Sequence, residues 1–149
     1  MEINNLISKE FSFKVADIDA PKRLVKAYFS AFGNVDFDDD IVAKGAFSKT
    51  IKEWGPQGKG IVRHLLNHSK DKLPIGKVIE LGEDSFGAYF VSKIARTNEA
   101  NDVYLLYQDD VINNHSFTGL IVKKSFNSGV RTLHEVKLME VSTITTWAA

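Results

Sequence analysis

The chain has 149 residues, 44% of them hydrophobic and 26% charged, with 19 Lys and Arg balanced by 19 Asp and Glu and no cysteine. That length suits one domain whose core is large enough to fold unaided, so a single domain over 1–149 is expected. A formal net charge of zero speaks against nucleic acid or an anionic membrane as the main partner, and the lack of cysteine rules out disulfides, thiolate zinc sites and cysteine nucleophiles. The N-terminus, MEINNLISKEF, is polar and lacks the apolar run of a signal peptide. No stretch approaches the roughly 20 apolar residues that a membrane helix needs. A soluble protein acting inside a cell, or inside something assembled there, is expected, with no membrane or nucleic-acid partner and no cofactor.

Short strands separated by turn signals dominate the chain. LVKAYFSAFG (24–33) is the first, closed by Gly33-Asn34. KGAFSKTIKEW changes to helical spacing, with Ala46, Phe47, Thr50, Ile51 and Trp54 on one face. GIVRHLLN (60–67), IGKVIELGED (75–84) and GAYFVSKIA (87–95) read as strands, the last two joined by a hairpin through EDSFG. NEANDVYLLYQDDVI is a second helix, with Ala100, Val103, Tyr107 and Val111 recurring along one side and Asn98 as N-cap. SFTGLIVKKSF (116–126) and VRTLHEVKL (130–138) flank the hairpin signal Asn127-Ser128-Gly129, and VSTITTW (141–147) ends the pattern. Such spacing predicts a mainly β (α+β) fold, a closed or nearly closed β-barrel flanked by a few helices.

Strand alternation sorts the polar residues by face. On strand 130–141, Glu140 lies in register with Val136 and Leu138, and Glu135 and Lys137 point the other way to solvent. A carboxylate among apolar neighbours costs several kcal/mol unless it is paired, so Glu140 is either functional, a strand-end group reaching water, or a structural hydrogen-bond acceptor. His134 shares its face, and a bulge at Met139 would exchange the two faces. Ser116 opens a strand whose same face carries Thr118, Leu120 and Val122, an ordinary place for a structural serine. His115 points the other way. His64 and His68 have the spacing of a zinc helix. Here Leu65 replaces the required Glu, and a strand would hold the rings roughly 13 Å apart, so a zinc site is rejected. NVDFDDDIVAKG resembles the start of a calcium loop. Asp39 holds the glycine position and Gly45 the bidentate Glu position, which makes it an acidic turn with weak cation binding at most.

Four segments, in order, resemble the prohead (capsid maturation) proteases of tailed bacteriophages, relatives of the herpesvirus assemblins. These are AYFSAFGNVDFDDDIVAKGAF, LLNHSKDKLPIGKVIEL, NNHSFTGLIV and EVKLMEVSTITTWAA. The likeness covers about 24–149 and leaves 1–23 outside it. Two positions depart from the family pattern: His115 stands where an apolar residue is usual, and Trp147 where a proline is usual. The resemblance implies an assemblin-like barrel and a serine endopeptidase in which His68 is the general base, Ser116 the nucleophile and Glu140 the third member. It also implies, as substrates, the major capsid protein and scaffold segment and the enzyme itself. The setting would be the immature capsid in the host cytoplasm, and a homo-oligomer is expected. Backbone amides from Gly129 to Arg131 are the candidates for the oxyanion donors. The competing readings are an inactive protease-fold scaffold or structural capsid component, motivated by His115, and a β-barrel binding module with a cation site at 34–40.

Overall fold

The computed structural model describes residues 5–12 and 17–146. Its strands are β1 (Leu6–Ser12), β2 (Asp17–Asp19), β3 (Leu24–Ala31), β4 (Asp40–Val42), β5 (Arg63–Leu66), β6 (Gly76–Glu83), β7 (Gly87–Ile94), β8 (Asn114–Asn127) and β9 (Val130–Ile144), with helices α1 (Ser48–Trp54) and α2 (Asn98–Gln108). One mixed sheet runs β1-β8-β9-β5-β6-β7-β3-β2, with β4 added to β9. It curls strongly into a half-barrel, and the mainly β expectation holds. A cleft of about 320 Å³, lined by Lys9 and Phe11 of β1 and Phe29 and Ala31 of β3, marks where the curl stops short of closure. No helix among the described residues is long and apolar enough to cross a membrane.

The inside of the curl is aromatic. Phe29, Phe47, Phe90 and Phe117 have no exposed surface, and the rings of Phe29, Phe47 and Phe117 meet edge to face at 5.2–5.7 Å. Edge-to-face pairs add roughly 0.5–1.5 kcal/mol each beyond their area burial. Val136, Leu138 and Val141 of β9 complete this core.

The two strands read at 130–138 and 141–147 are one element, β9, ending at Ile144; Trp147 lies outside the described residues. Two parallel partners share its edge, β4 along Arg131–Leu133 and β5 along Glu140–Thr143. Between them the turn leading into α1 and α1 itself supply the missing acceptors: Val136 N–H donates to the Ala46 carbonyl at 2.9 Å, and Leu138 N–H to Thr50 Oγ1 at 3.1 Å. This explains a threonine on the buried helix face.

Three strands escape the sequence pattern. β2 and β4 have three residues each, too few to show alternation, and β1 is polar because one of its faces is outside the barrel. At α2, Thr97 rather than Asn98 is the N-cap, its hydroxyl accepting from Ala100 N–H at 3.3 Å. The helix ends before Val111, which is 62% exposed while Ile112 is buried.

Candidate active site

β5 ends in a tight turn. Ser69 N–H donates to the Leu66 carbonyl at 3.0 Å, and both central residues, Asn67 and His68, have positive φ (53° and 58°). Left-handed backbone costs a non-glycine residue roughly 1–2 kcal/mol, and asparagine is among the residues that tolerate it. Asn67 is further held by Thr145, donating to its Oγ1 at 2.9 Å and accepting from its N–H at 3.0 Å. The turn directs the His68 ring back over β9 and β8.

There, a hydrogen-bonded chain forms. His68 Nε2 lies 2.8 Å from Ser116 Oγ, and His68 Nδ1 bonds Glu140 Oε1. Thr118 Oγ1 donates to Glu140 Oε1 at 2.7 Å, and Ser142 Oγ donates to Oε2 at 2.6 Å. Ser142 Oγ also accepts the His68 N–H at 3.1 Å, so one hydroxyl ties the turn to the carboxylate. With both oxygens accepting, Glu140 is suited to hold a proton on Nδ1, which leaves Nε2 as the acceptor facing Ser116. The order hydroxyl, imidazole, carboxylate is that of an acyl-transfer triad.

The structure therefore brings His68, Ser116 and Glu140 together, but on the face opposite to the one that simple alternation gives. Thr118 pairs with Glu140 and Gly119 with Leu138, so Met139 is an extra residue on β9. This bulge puts Glu140 on the outer face with Ser142, Ser116 and Thr118, while Phe117, Leu138 and Val141 stay in the core. Glu140 is buried at 3% exposure among hydroxyls, not among the valine and leucine side chains.

A second offset, at His134, turns that ring out to solvent, where Nε2 meets Ser125 Oγ at 2.7 Å, so His134 is not part of the site. The oxyanion candidates also fail. Gly129–Arg131 lies at the far end of the β8/β9 hairpin, eleven β8 residues beyond Ser116 and so roughly 36 Å along the strand. The Arg131 guanidinium grips Asp40 through two bonds of 2.7 Å.

The other two histidines are inside the curl. His64 joins Ser92 Oγ at 2.8 Å and Thr143 Oγ1 at 2.7 Å, while Tyr107 OH bridges Thr143 Oγ1 and His115 Nε2, both at 2.7 Å. Burial pushes both rings down to about pKa 3, and for His64 the neighbouring His115 adds to the effect, so both are neutral. His115 is thus a core polar residue that faces away from its neighbour Ser116. Its unusual identity gives no reason to read the site as inactive.

The acidic turn is matched by protein cations. Lys9 Nζ stands 2.7, 3.0 and 2.8 Å from Asp36, Asp38 and Asp40. Burial opposes the ammonium charge, but hydrogen bonds to Asp36, Asp40 and Asp38 outweigh it and raise the lysine above its ordinary value. For Asp40, burial is likewise outweighed by Arg131 and Lys9, which hold its carboxyl below the usual range. Sequence reading missed Lys9, because nothing local links it to a turn some thirty residues away.

The family model described as Caudovirus prohead serine protease matches residues 10–149. The chain belongs to this family. The match begins well before residue 24 and takes in the second half of β1. Over 87 residues the chain is 33% identical to the prohead protease of Enterobacteria phage HK97, a stretch covering 56% of this chain and 37% of that protein. The aligned part is therefore little more than a third of that relative's length. In fold, the chain is similar to the bacteriophage T4 capsid assembly protease, gp21, with a TM-score of 0.68 over 97% of this chain and 98% of that one, at 13% identity.

Proposed function

We propose that the chain is the serine endopeptidase of a phage prohead, cleaving the scaffold segment or capsid-protein extension and itself during capsid maturation inside the immature capsid. Family membership supports the reaction class. The observation that carries the residue assignment is the chain from Ser116 Oγ through His68 to Glu140, with both carboxylate oxygens held. In this reading His68 Nε2 takes the hydroxyl proton as Oγ attacks the peptide carbonyl, then delivers it to the departing amine. Water, activated by the same ring, releases the acyl group. Glu140 keeps the proton on Nδ1 and stabilises the imidazolium that forms.

The test is co-expression with the neighbouring capsid gene and mass measurement of both products. Ser116→Ala should abolish processing while leaving the melting temperature within a degree or two of the parent. Unchanged processing would refute the nucleophile assignment.

A further inference from the structure

The Ser116 hydroxyl is closed off. The residue is 1% exposed, and its Oγ has a second partner besides His68, the Lys9 carbonyl of β1, also at 2.8 Å. A scissile carbonyl carbon must come within about 3–3.5 Å of that oxygen. With one proton and two acceptors, the hydroxyl shares its donation between the base and a main-chain carbonyl of the protein's own edge strand. β1 runs antiparallel to β8 with Glu10 opposite Ser116, so it occupies the edge where an extended peptide would pair beside the nucleophile.

The anchoring of the two neighbours decides which of them can move. The His68 turn is fixed through Asn67 to Thr145 and through its own N–H to Ser142. Among the described residues β1 pairs along one edge, with β8; its other side borders the cleft toward β3. Leu6 is 43% exposed, Ile7 packs against the core, Ser8 Oγ meets Thr118 Oγ1 at 3.1 Å, and the Phe11 ring packs edge to face on Phe86 at 5.8 Å. The charged tie on the strand is Lys9, whose ammonium sits in the cage of Asp36, Asp38 and Asp40 while its carbonyl rests on the Ser116 hydroxyl.

We propose that the β8 edge beside Ser116 is the seat of the substrate backbone, that β1 fills it in the closed state, and that the Lys9 cage is the latch holding β1 there. An extended peptide then enters as an antiparallel strand in place of β1, and opening frees the serine proton for His68. The proposal rests on Ser116 being the nucleophile, and the test separates the two claims.

Because the chain has no cysteine, the pair Leu6→Cys with Leu120→Cys, directly opposite across β1 and β8, can be oxidised to lock the strand and reduced to release it. The readout is the rate of covalent labelling by a biotinylated fluorophosphonate on the full chain. The reduced pair should label at the parent rate and the oxidised pair at least tenfold slower. Lys9→Ala should label several-fold faster than the parent, and Lys9→Arg within about twofold of it. Equal rates for the oxidised and reduced pair would overturn the gate, as would a Lys9→Ala protein that folds but labels no faster. If Ser116→Ala labels as well as the parent, the nucleophile assignment fails first; if it does not label and the crosslink has no effect, the gate alone is wrong.

Discussion

Glu140 is held by three donors from three different elements: Thr118 on β8, Ser142 on β9 and His68 in the turn after β5. A carboxylate so fixed cannot rotate away from the His68 ring. Glu140→Gln keeps the shape but offers Nδ1 a donor as readily as an acceptor, so the wrong tautomer is populated. The expected outcome is a loss on the order of 10⁴-fold in turnover with an unchanged fold, read from processing rate and circular dichroism. Ser142→Ala removes one bond to the carboxylate and one to the His68 amide; a loss of about fivefold is expected, from a net hydrogen-bond contribution of roughly 1 kcal/mol. Asn67→Ala places a residue less tolerant of left-handed backbone at φ 53° and deletes the bonds to Thr145, so the melting temperature should fall along with the labelling rate. Full activity in that variant would mean that the turn does not set the ring's position.

The bulge at Met139 and the arrival of α1 beside it make β9 serve both faces of the sheet. Deleting Met139 would make the ladder regular, with Glu140 directly after Leu138 and still opposite Thr118, so Glu140 and Val141 would keep their present faces. Processing and a cooperative melt should therefore survive both this deletion and Met139→Ala; loss of processing in the deletion alone would mean that the bulge itself sets the position of Glu140. Gly76 shows a similar constraint in the Pro-Ile-Gly segment. A Cβ there would stand 2.4 Å from Ser92 Oγ and 3.1 Å from His64 Nδ1, within the bond that joins those two side chains. The resemblance to the prohead proteases is what singled out His68, Ser116 and Glu140 in the sequence. Simple alternation favours Glu140 over Glu135 but on the wrong face, because the bulge at Met139 lies in the pairing with β8, which local spacing does not reveal. The longer strands were legible because each buries one face. β1 was not, because its contribution is a backbone carbonyl, which any residue type could supply.

At the scale of the whole molecule, the buried histidine network predicts how the protein responds to acid. His64 and His115 sit near pKa 3 in the fold and return to the ordinary 6.5 on unfolding, so the unfolded chain binds more protons between those values. Their contribution is complete above about pH 6.5 and declines as pH falls toward 3, by roughly 1.4 kcal/mol per pH unit for each ring. Asp40, held below its ordinary value, adds a separate loss that begins only near the usual carboxylate range. Urea melts from pH 7 to pH 4 should show the steeper fall between 6 and 4, and His64→Gln should flatten that part of the curve. An unaltered slope would locate the acid sensitivity elsewhere.

Neighbouring residues of the same two strands divide the labour, Ser116 and Thr118 outward with Phe117 inward, Glu140 and Ser142 outward with Val141 inward. Substitutions on the polar face can therefore alter the proposed cleavage chemistry while leaving the packed face intact. The same economy leaves no tolerance for slippage, since a shift of one position would exchange a phenylalanine for the hydroxyl and forfeit both at once.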